Sequence, residues 1–473
     1  MSCHESCGVF GIHAPGEDVS RLTFFALFAL QHRGQESSGI ATSAGSRIML
    51  ETGMGLVSQV FDEDTLMRLP GTTAIGHNRY STTGSSRLFN AQPLLCRGEL
   101  GEIALAHNGN ITNAEGLRKT LTEQGYEFRT SGDTEVIGAL ISRAPGTNWI
   151  DKITHAMHRL QGAYSAVVLT ENQLIALRDP LGVRPLCLGK LNGGWIVASE
   201  SCALDHIGGE FLREIEPGEV IVIDDQGITS FCAVESEKKA LCVFEYIYFA
   251  RPDSMINGNL LYQAREAMGR RLAKEYPVEA DMVVGVPDSA TIAGIGYAQE
   301  SGIPFSEGLI KNRYAGRTFI EPDQRIRELG VRLKFNPLPQ VLRGKRLVVV
   351  DDSIVRGTTT PHVVGLLKRA GAKEVHLRVC APPIRYPCFF GVDMATRWEL
   401  IAAQKTIRQV RDFVKAESLG YLSLEGLLDS VGLPQETLCL ACFTGEYPIP
   451  VQLEMDKLAL ESTSSTSTAT RRP

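Results

Sequence analysis

The chain has 473 residues, 43% of them apolar and 22% charged, with a net charge of -6. That length exceeds one ordinary core and predicts two domains of roughly 200 residues each, while the charge excludes a broad electrostatic pull on nucleic acid and points to small anionic ligands. No apolar run is long enough to cross a bilayer, and residues 1–6 are too short and too polar for a signal peptide, so a cytoplasmic protein with no membrane partner is expected.

Residues 1–6 read as a leader removed on maturation. Cys7 then precedes the apolar run Gly8-Val9-Phe10-Gly11. As a first residue it would carry both a thiol and an α-amine, and an amine of pKa roughly 7.7–8.0 can take the thiol proton near neutrality. No histidine base is then required. Cys3 opens no such strand and leaves with the leader.

To about Leu241, short apolar strands (104–106, 163–170, 195–198) alternate with turn glycines and helical stretches, a pattern of sheets packed face to face with helices outside. This half also contains QHRGQE at 31–36, GHNRYST at 76–82, HNGN at 107–110 and SGDTE at 131–135. Together with Cys7, these segments resemble the class II glutamine amidotransferase domain, an N-terminal nucleophile hydrolase with an αββα sandwich, over residues 7–241. The resemblance implies Cys7 as nucleophile, the Asn108 side chain and Gly109 amide as oxyanion hole, Arg79 on the α-carboxylate of glutamine and Asp133 on its α-ammonium. The residue types suit those tasks, since a planar guanidinium matches a carboxylate and preorganised amides stabilise developing charge. The plainer alternative is an Arg79–Asp133 ion pair beside an ordinary Asn-Gly turn. His32, His77 and His107 are assigned to structure.

The second half changes character. Residues 282–286 and 347–350 are unbroken apolar runs, as in parallel strands buried on both faces. The second run leads into Asp351-Asp352-Ser353-Ile354-Val355-Arg356-Gly357-Thr358-Thr359. A helix is expected to open near Thr359-Thr360-Pro361 with a hydroxyl cap and close at Gly371, before a strand at 374–379. This is a doubly wound parallel sheet, in which ligands bind beyond the carboxyl ends of strands. Two adjacent acids at the end of a buried strand are costly unless they meet cations or hydroxyl donors, which ribose and Mg²⁺ would supply; the helix start favours a 5-phosphate. A capped helix with solvated acids is the alternative.

The 348–359 run resembles the phosphoribosyl pyrophosphate motif of type I phosphoribosyltransferases, in the form found in glutamine phosphoribosylpyrophosphate amidotransferases. That implies phosphoribosyl pyrophosphate contacts from Asp351, Asp352, Ser353, Arg356, Gly357, Thr358 and Thr359, and Mg²⁺ held near Ser289, Asp351 and Asp352. Residues 286–290 resemble the pyrophosphate loop of that family. Residues 311–320, with Lys311, Arg313 and Arg317, resemble the segment that closes over the substrate and excludes water.

Eleven cysteines in a reducing compartment predict no disulfide framework. Cys96, Cys187, Cys202, Cys232 and Cys380 read as small buried apolar residues. Cys439 and Cys442 form a close pair, with Cys242 and Cys388 far off in the chain. Four thiolates suit zinc or an iron–sulfur cluster, and spacing does not separate the two. Their surroundings resemble the cluster-bearing branch of these amidotransferases, which implies one structural 4Fe-4S cluster per subunit within a 242–461 domain. Residues 462–473 are expected to be disordered.

From Cys7 to about Tyr447 the resemblance implies transfer of glutamine nitrogen to phosphoribosyl pyrophosphate in a homotetramer or homodimer inhibited by purine nucleotides. Another class II amidotransferase would share Cys7, Arg79 and Asp133, but the Asp351-Asp352 motif argues against it. A non-catalytic nucleotide-binding regulator would have no use for the glutaminase set.

Overall fold

The computed structural model describes residues 7–45, 47–80, 85–312, 334–394 and 396–451. The leader, Ser81 and Thr82, the segment holding Arg313 and Arg317, and the carboxyl tail lie outside the described residues.

The first half is built on two antiparallel sheets. One orders its seven strands Glu210–Glu214, Cys187–Leu191, Gly194–Ala198, Gly8–His13, Thr73–Arg79, Ser37–Ser43, Ile48–Met54. The other orders six, Gly227–Cys232, Glu219–Asp224, Leu174–Arg178, Gly162–Leu169, Gly101–Ile111, Leu94–Gly98. Alternation of side chains along each strand assembles the layers. In the first strand Phe10 and Ile12 pack with Ala26 and Leu27 of the helix Val19–Ala29 and with Leu30 just after it, whereas Val9 joins Ala104, Ala106 and Val167 between the sheets. In the second sheet Ile103 and Leu105 face Val136 and Ile137 of the helix Asp133–Arg143. Helix, sheet, sheet, helix is the expected αββα sandwich.

The second half carries a parallel sheet ordered Met282–Gly285, Arg346–Asp351, Glu374–Val379, Ser418–Tyr421. An isolated parallel bridge from Val283 to Phe305 lies on the other side of the first of these strands. Sequence order therefore reverses between Met282–Gly285 and Arg346–Asp351, and their carboxyl ends form the switch point where doubly wound sheets bind ligands. The runs Val283-Val284 and Val348-Val349-Val350 are fully buried, as the absence of polar alternation requires.

Two expectations are corrected. Thr359 does precede the helix Thr360–Arg369, but its hydroxyl makes no capping bond. Its backbone is already helical, φ -82° and ψ -43°, whereas a side-chain cap needs an extended residue there. Cys232 is exposed, because it ends the edge strand Gly227–Cys232, whose outer face is open. Cys96, Cys187, Cys202 and Cys380 are buried. Among the described residues, no helix is long and apolar enough to cross a membrane.

Candidate active sites

Cys7 stands immediately before the strand Gly8–His13, whose antiparallel register sets Gly8 opposite Asn78 in Thr73–Arg79. That register delivers the thiol to the end of the neighbouring strand. Cys7 Sγ donates to the Tyr80 carbonyl at 3.3 Å and accepts the Tyr80 N–H at 3.4 Å. It lines a cavity shared with Arg79, Gly109, Gly132, Asp133 and Thr134.

Arg79 closes its strand and is buried, with Nη1 on the Ser85 carbonyl at 3.3 Å and 3.7 Å from Glu36 Oε2. Asp133 opens the helix Asp133–Arg143, and its carboxylate accepts the Ile111 N–H at 3.0 Å. Asn108 and Gly109 lie in Gly101–Ile111. Both amide atoms of Asn108 are buried without a hydrogen-bond partner, a costly state in a folded protein unless something else meets them. Gly109 has φ +146°, and a Cβ there would fall 2.0 Å from the Ala163 carbonyl oxygen.

Burial pushes the Cys7 thiol up to about 11, against the lowering effects of the Tyr80 backbone and Arg79. At neutral pH it is a protonated thiol in want of a base. His77 is driven down to about 3 by burial and donates to the His107 carbonyl at 3.1 Å. His107, also lowered by burial, meets Thr134 Oγ1 at 3.0 Å. Motif reading gave Tyr80 no role of its own and missed Asn90 and Gln92, all three of which line this cavity. Asn90 accepts the Ser131 N–H at 3.0 Å and Gln92 the His107 N–H at 2.8 Å, so these two shape the cavity through other loops, a role with no local sequence signature.

At the switch point of the parallel sheet, Ser289 donates to Asp352 Oδ2, and Ser353 Oγ donates to the same residue's Oδ1 at 2.6 Å. Asp351 Oδ1 accepts the Asp352 N–H at 3.0 Å. Burial raises both carboxyls, and for Asp351 the charge of Asp352 adds to it. Lys311 Nζ reaches Asp288 Oδ2 at 2.7 Å. Ser353, Gly357, Thr358 and Thr359 fall between the strand end and the helix start, while Arg356 is turned onto Glu399 Oε2 at 2.9 Å and the Asp393 carbonyl at 3.2 Å. Arg313 lies outside the described residues.

The four singled-out cysteines come from three stretches that meet. Cys242 and Cys439 are register partners in a two-stranded parallel sheet. The Cys442 carbonyl accepts the N–H groups of Arg385 at 3.0 Å and Tyr386 at 3.1 Å, just ahead of Cys388. No disulfide joins the four cysteines. Among the described residues, no three His, Cys, Asp or Glu side chains are grouped as ligands of a single metal ion.

One loop, 388–394, lies between all these places. Asn110 Nδ2 donates to the Phe389 carbonyl at 2.9 Å, and a Cβ on Gly391 would meet the Gly109 backbone at 3.0 Å. Tyr80 Oη donates to Asp393 Oδ2 at 3.3 Å, so the loop touches the Cys7 cavity, Arg356 and Cys388.

Comparison with known proteins finds two family models matching the chain, a glutamine amidotransferase domain over residues 77–206 and a phosphoribosyl transferase domain over 256–386. An amidophosphoribosyltransferase from Synechococcus elongatus is 49% identical over 98% of this chain and 95% of its own length. One from Archaeoglobus fulgidus is 51% identical over 94% of this chain and 98% of its own. A solved glutamine phosphoribosylpyrophosphate amidotransferase from B. subtilis, complexed with ADP and GMP, superposes with a TM-score of 0.89 at 46% identity, covering 94% of this chain and 98% of that one.

Proposed function

The chain belongs to the amidophosphoribosyltransferase family, and from that premise we propose which residues carry its two half-reactions. It transfers the amide nitrogen of glutamine to phosphoribosyl pyrophosphate, giving 5-phosphoribosylamine, glutamate and pyrophosphate, the first step of purine biosynthesis.

The glutaminase is residues 7–241. Removal of residues 1–6 turns the Cys7 amide into an amine, the base that a thiol raised to about 11 requires. The thiolate attacks the amide carbon of glutamine. Asn108 and the Gly109 N–H receive the oxyanion, the Cys7 amine returns the proton to departing ammonia, and water then cleaves the Cys7 thioester to release glutamate and the thiol. Arg79 holds the α-carboxylate and Asp133 the α-ammonium. The observation that carries this reading is the cavity in which Cys7, Arg79, Gly109 and Asp133 face one another, next to an amide, Asn108, left without a partner.

The phosphoribosyl half is residues 242–461, ending in the four-cysteine extension. Asp351 and Asp352 take the ribose hydroxyls, the Ser353–Thr359 loop takes the 5-phosphate on the helix amides, and Lys311 with Arg313 takes pyrophosphate. Two buried carboxylates beside Ser289 fit a hard divalent ion. Mg²⁺ held by Asp351, Asp352 and Ser289 would neutralise the leaving pyrophosphate. Ammonia then displaces pyrophosphate at the anomeric carbon, having passed inside the protein.

Four cysteines without carboxylate or imidazole among them form a soft donor set, suited to zinc or iron–sulfur. Zinc is the alternative; the stretches around these cysteines resemble the cluster-bearing branch of the family, and a 4Fe-4S cluster is the occupant we propose. It would pin the carboxyl-terminal strand, a structural duty. Purine nucleotides are the proposed inhibitors, in keeping with the ADP and GMP of the B. subtilis relative, and a homotetramer or homodimer the proposed assembly.

Cys7→Ala tests the division. It should lower glutamine-dependent synthesis by ~10³-fold or more and leave synthesis from ammonium chloride in place. Loss of both would mean that the two sites are not separate.

A further inference from the structure

Between the two halves runs a line of charged side chains that the reaction does not use. Arg33, Glu200, Arg184 and Glu245 have side chains 0% exposed. Arg33 donates to Glu200 and, at 2.6 Å, to Glu245. Glu200 also receives His32 at 2.7 Å, Ser254 Oγ at 2.7 Å and the Arg251 N–H at 2.8 Å. Arg184 reaches the other oxygen of Glu245 at 3.2 Å. Glu245 is therefore divided between two guanidinium groups, and Arg184, at the end of the line, shares its carboxylate with Arg33 and can take a further partner.

The surroundings of Arg184 supply one. Its Nε and Nη2 both donate to the Phe390 carbonyl, at 3.1 and 2.8 Å. Phe390 in turn donates its N–H to Cys388 Sγ at 3.4 Å. On the other side, the carbonyl of Val183 accepts the Cys242 N–H at 3.0 Å. Two adjacent residues of the glutaminase half, Val183 through its carbonyl and Arg184 through its side chain, thus brace two of the three stretches that bring cysteines together.

We propose that Arg184 is the positioning residue and counter-charge of the four-cysteine site, so that the glutaminase half supplies the cation that a cluster held by four thiolates needs. This rests on the iron–sulfur reading above. Four thiolates outweigh the positive charge of a cubane core, and that excess in a buried place is stabilised by a fixed guanidinium. Partners just outside a metal's ligands typically change affinity by ~10- to 100-fold when removed. Removing a positive charge also makes reduction of the cluster harder, since reduction adds negative charge.

The test compares full-length wild type, Arg184→Met and Arg184→Lys, purified without oxygen. Iron and acid-labile sulfide, the rate of bleaching of visible absorbance in air and the midpoint potential are measured. Arg184→Met should bleach about tenfold faster and shift its potential downward. Arg184→Lys should restore the potential but only part of the lifetime, because it keeps the charge and loses the fork onto Phe390. An iron-loaded wild type beside an Arg184→Met of unchanged potential and lifetime overturns the inference alone. A wild type free of iron and sulfide overturns the cluster reading and the inference with it. If Arg184→Met does not fold, Glu245→Gln substitutes for it. Arg184 would then face the cysteines with less competition and the potential should rise, and an unmoved potential refutes the proposal.

Discussion

At the scale of single residues, Asn108 and Glu200 give opposite kinds of prediction. Asn108 has an unmatched buried amide, so Asn108→Leu, of similar shape, should cut glutamine turnover by ~10²–10³-fold while leaving the thermal midpoint level or higher. Steady-state kinetics with calorimetry decides it, and a fall in midpoint would remove the oxyanion role. Glu200 is a buried acid that is fully matched. Burial alone would raise its carboxyl, but Arg33 and His32 prevail and hold it well below the glutamate range. The unfolded chain takes up its proton near ~4.3, while the folded one stays ionised to lower pH. Its stabilisation is therefore complete above that value and fades as pH falls through the folded pKa. Glu200→Gln should cost ~3–5 kcal/mol at neutral pH and flatten the acid side of a plot of thermal midpoint against pH, and an unaltered slope would contradict the assignment. Asp351 and Asp352 could be read from the chain because two acids after four apolar residues are anomalous wherever they occur. Arg184 and Glu245 could not, since neither is anomalous until folding buries it.

At the scale of elements, what was legible depended on periodicity. The strand Glu374–Val379 lies where the sequence placed it, and the runs at 282–286 and 347–350 needed only a residue or so of adjustment. These are signals contained within a few neighbours. The Thr359 cap failed because residue type reports a preference, whereas capping depends on a backbone angle set by the loop before it. Cys232 failed because edge position belongs to the sheet. The 388–394 loop is the clearest case of an element with no periodic signature and much consequence. Gly391 has φ +95° and lies against Gly109, so a methyl group there strains the loop and presses on the strand bearing Asn108 and Gly109. Gly391→Ala should lower glutamine turnover by ~10²-fold, as about an ångström of misplacement does, with a smaller effect on synthesis from ammonium. Equal loss of both activities would show that the loop serves the sheet switch point instead.

For the whole molecule, the two halves and their chemistries were legible and the join between them was not. Arg33 and Glu245 are 212 residues apart, a separation at which nothing local distinguishes a partner. A join made of fully buried ion pairs should make the halves unfold together, so calorimetry of the full chain should show one transition. Glu245→Met, which takes the carboxylate from Arg184 and leaves Arg33 with Glu200 alone, should split it in two, and two transitions in the wild type would mean that the join contributes little. The pairing of Cys242 with Cys439 has a further consequence, in time. One strand of that small sheet leaves the ribosome at the start of the second half and the other close to its end. The intervening sheet can therefore be complete while Cys242 still waits for its partner, and closing so long a loop comes late. The site is then a checkpoint on finished synthesis. A chain stopped short of Cys439 would have folded domains and no means of fastening its end.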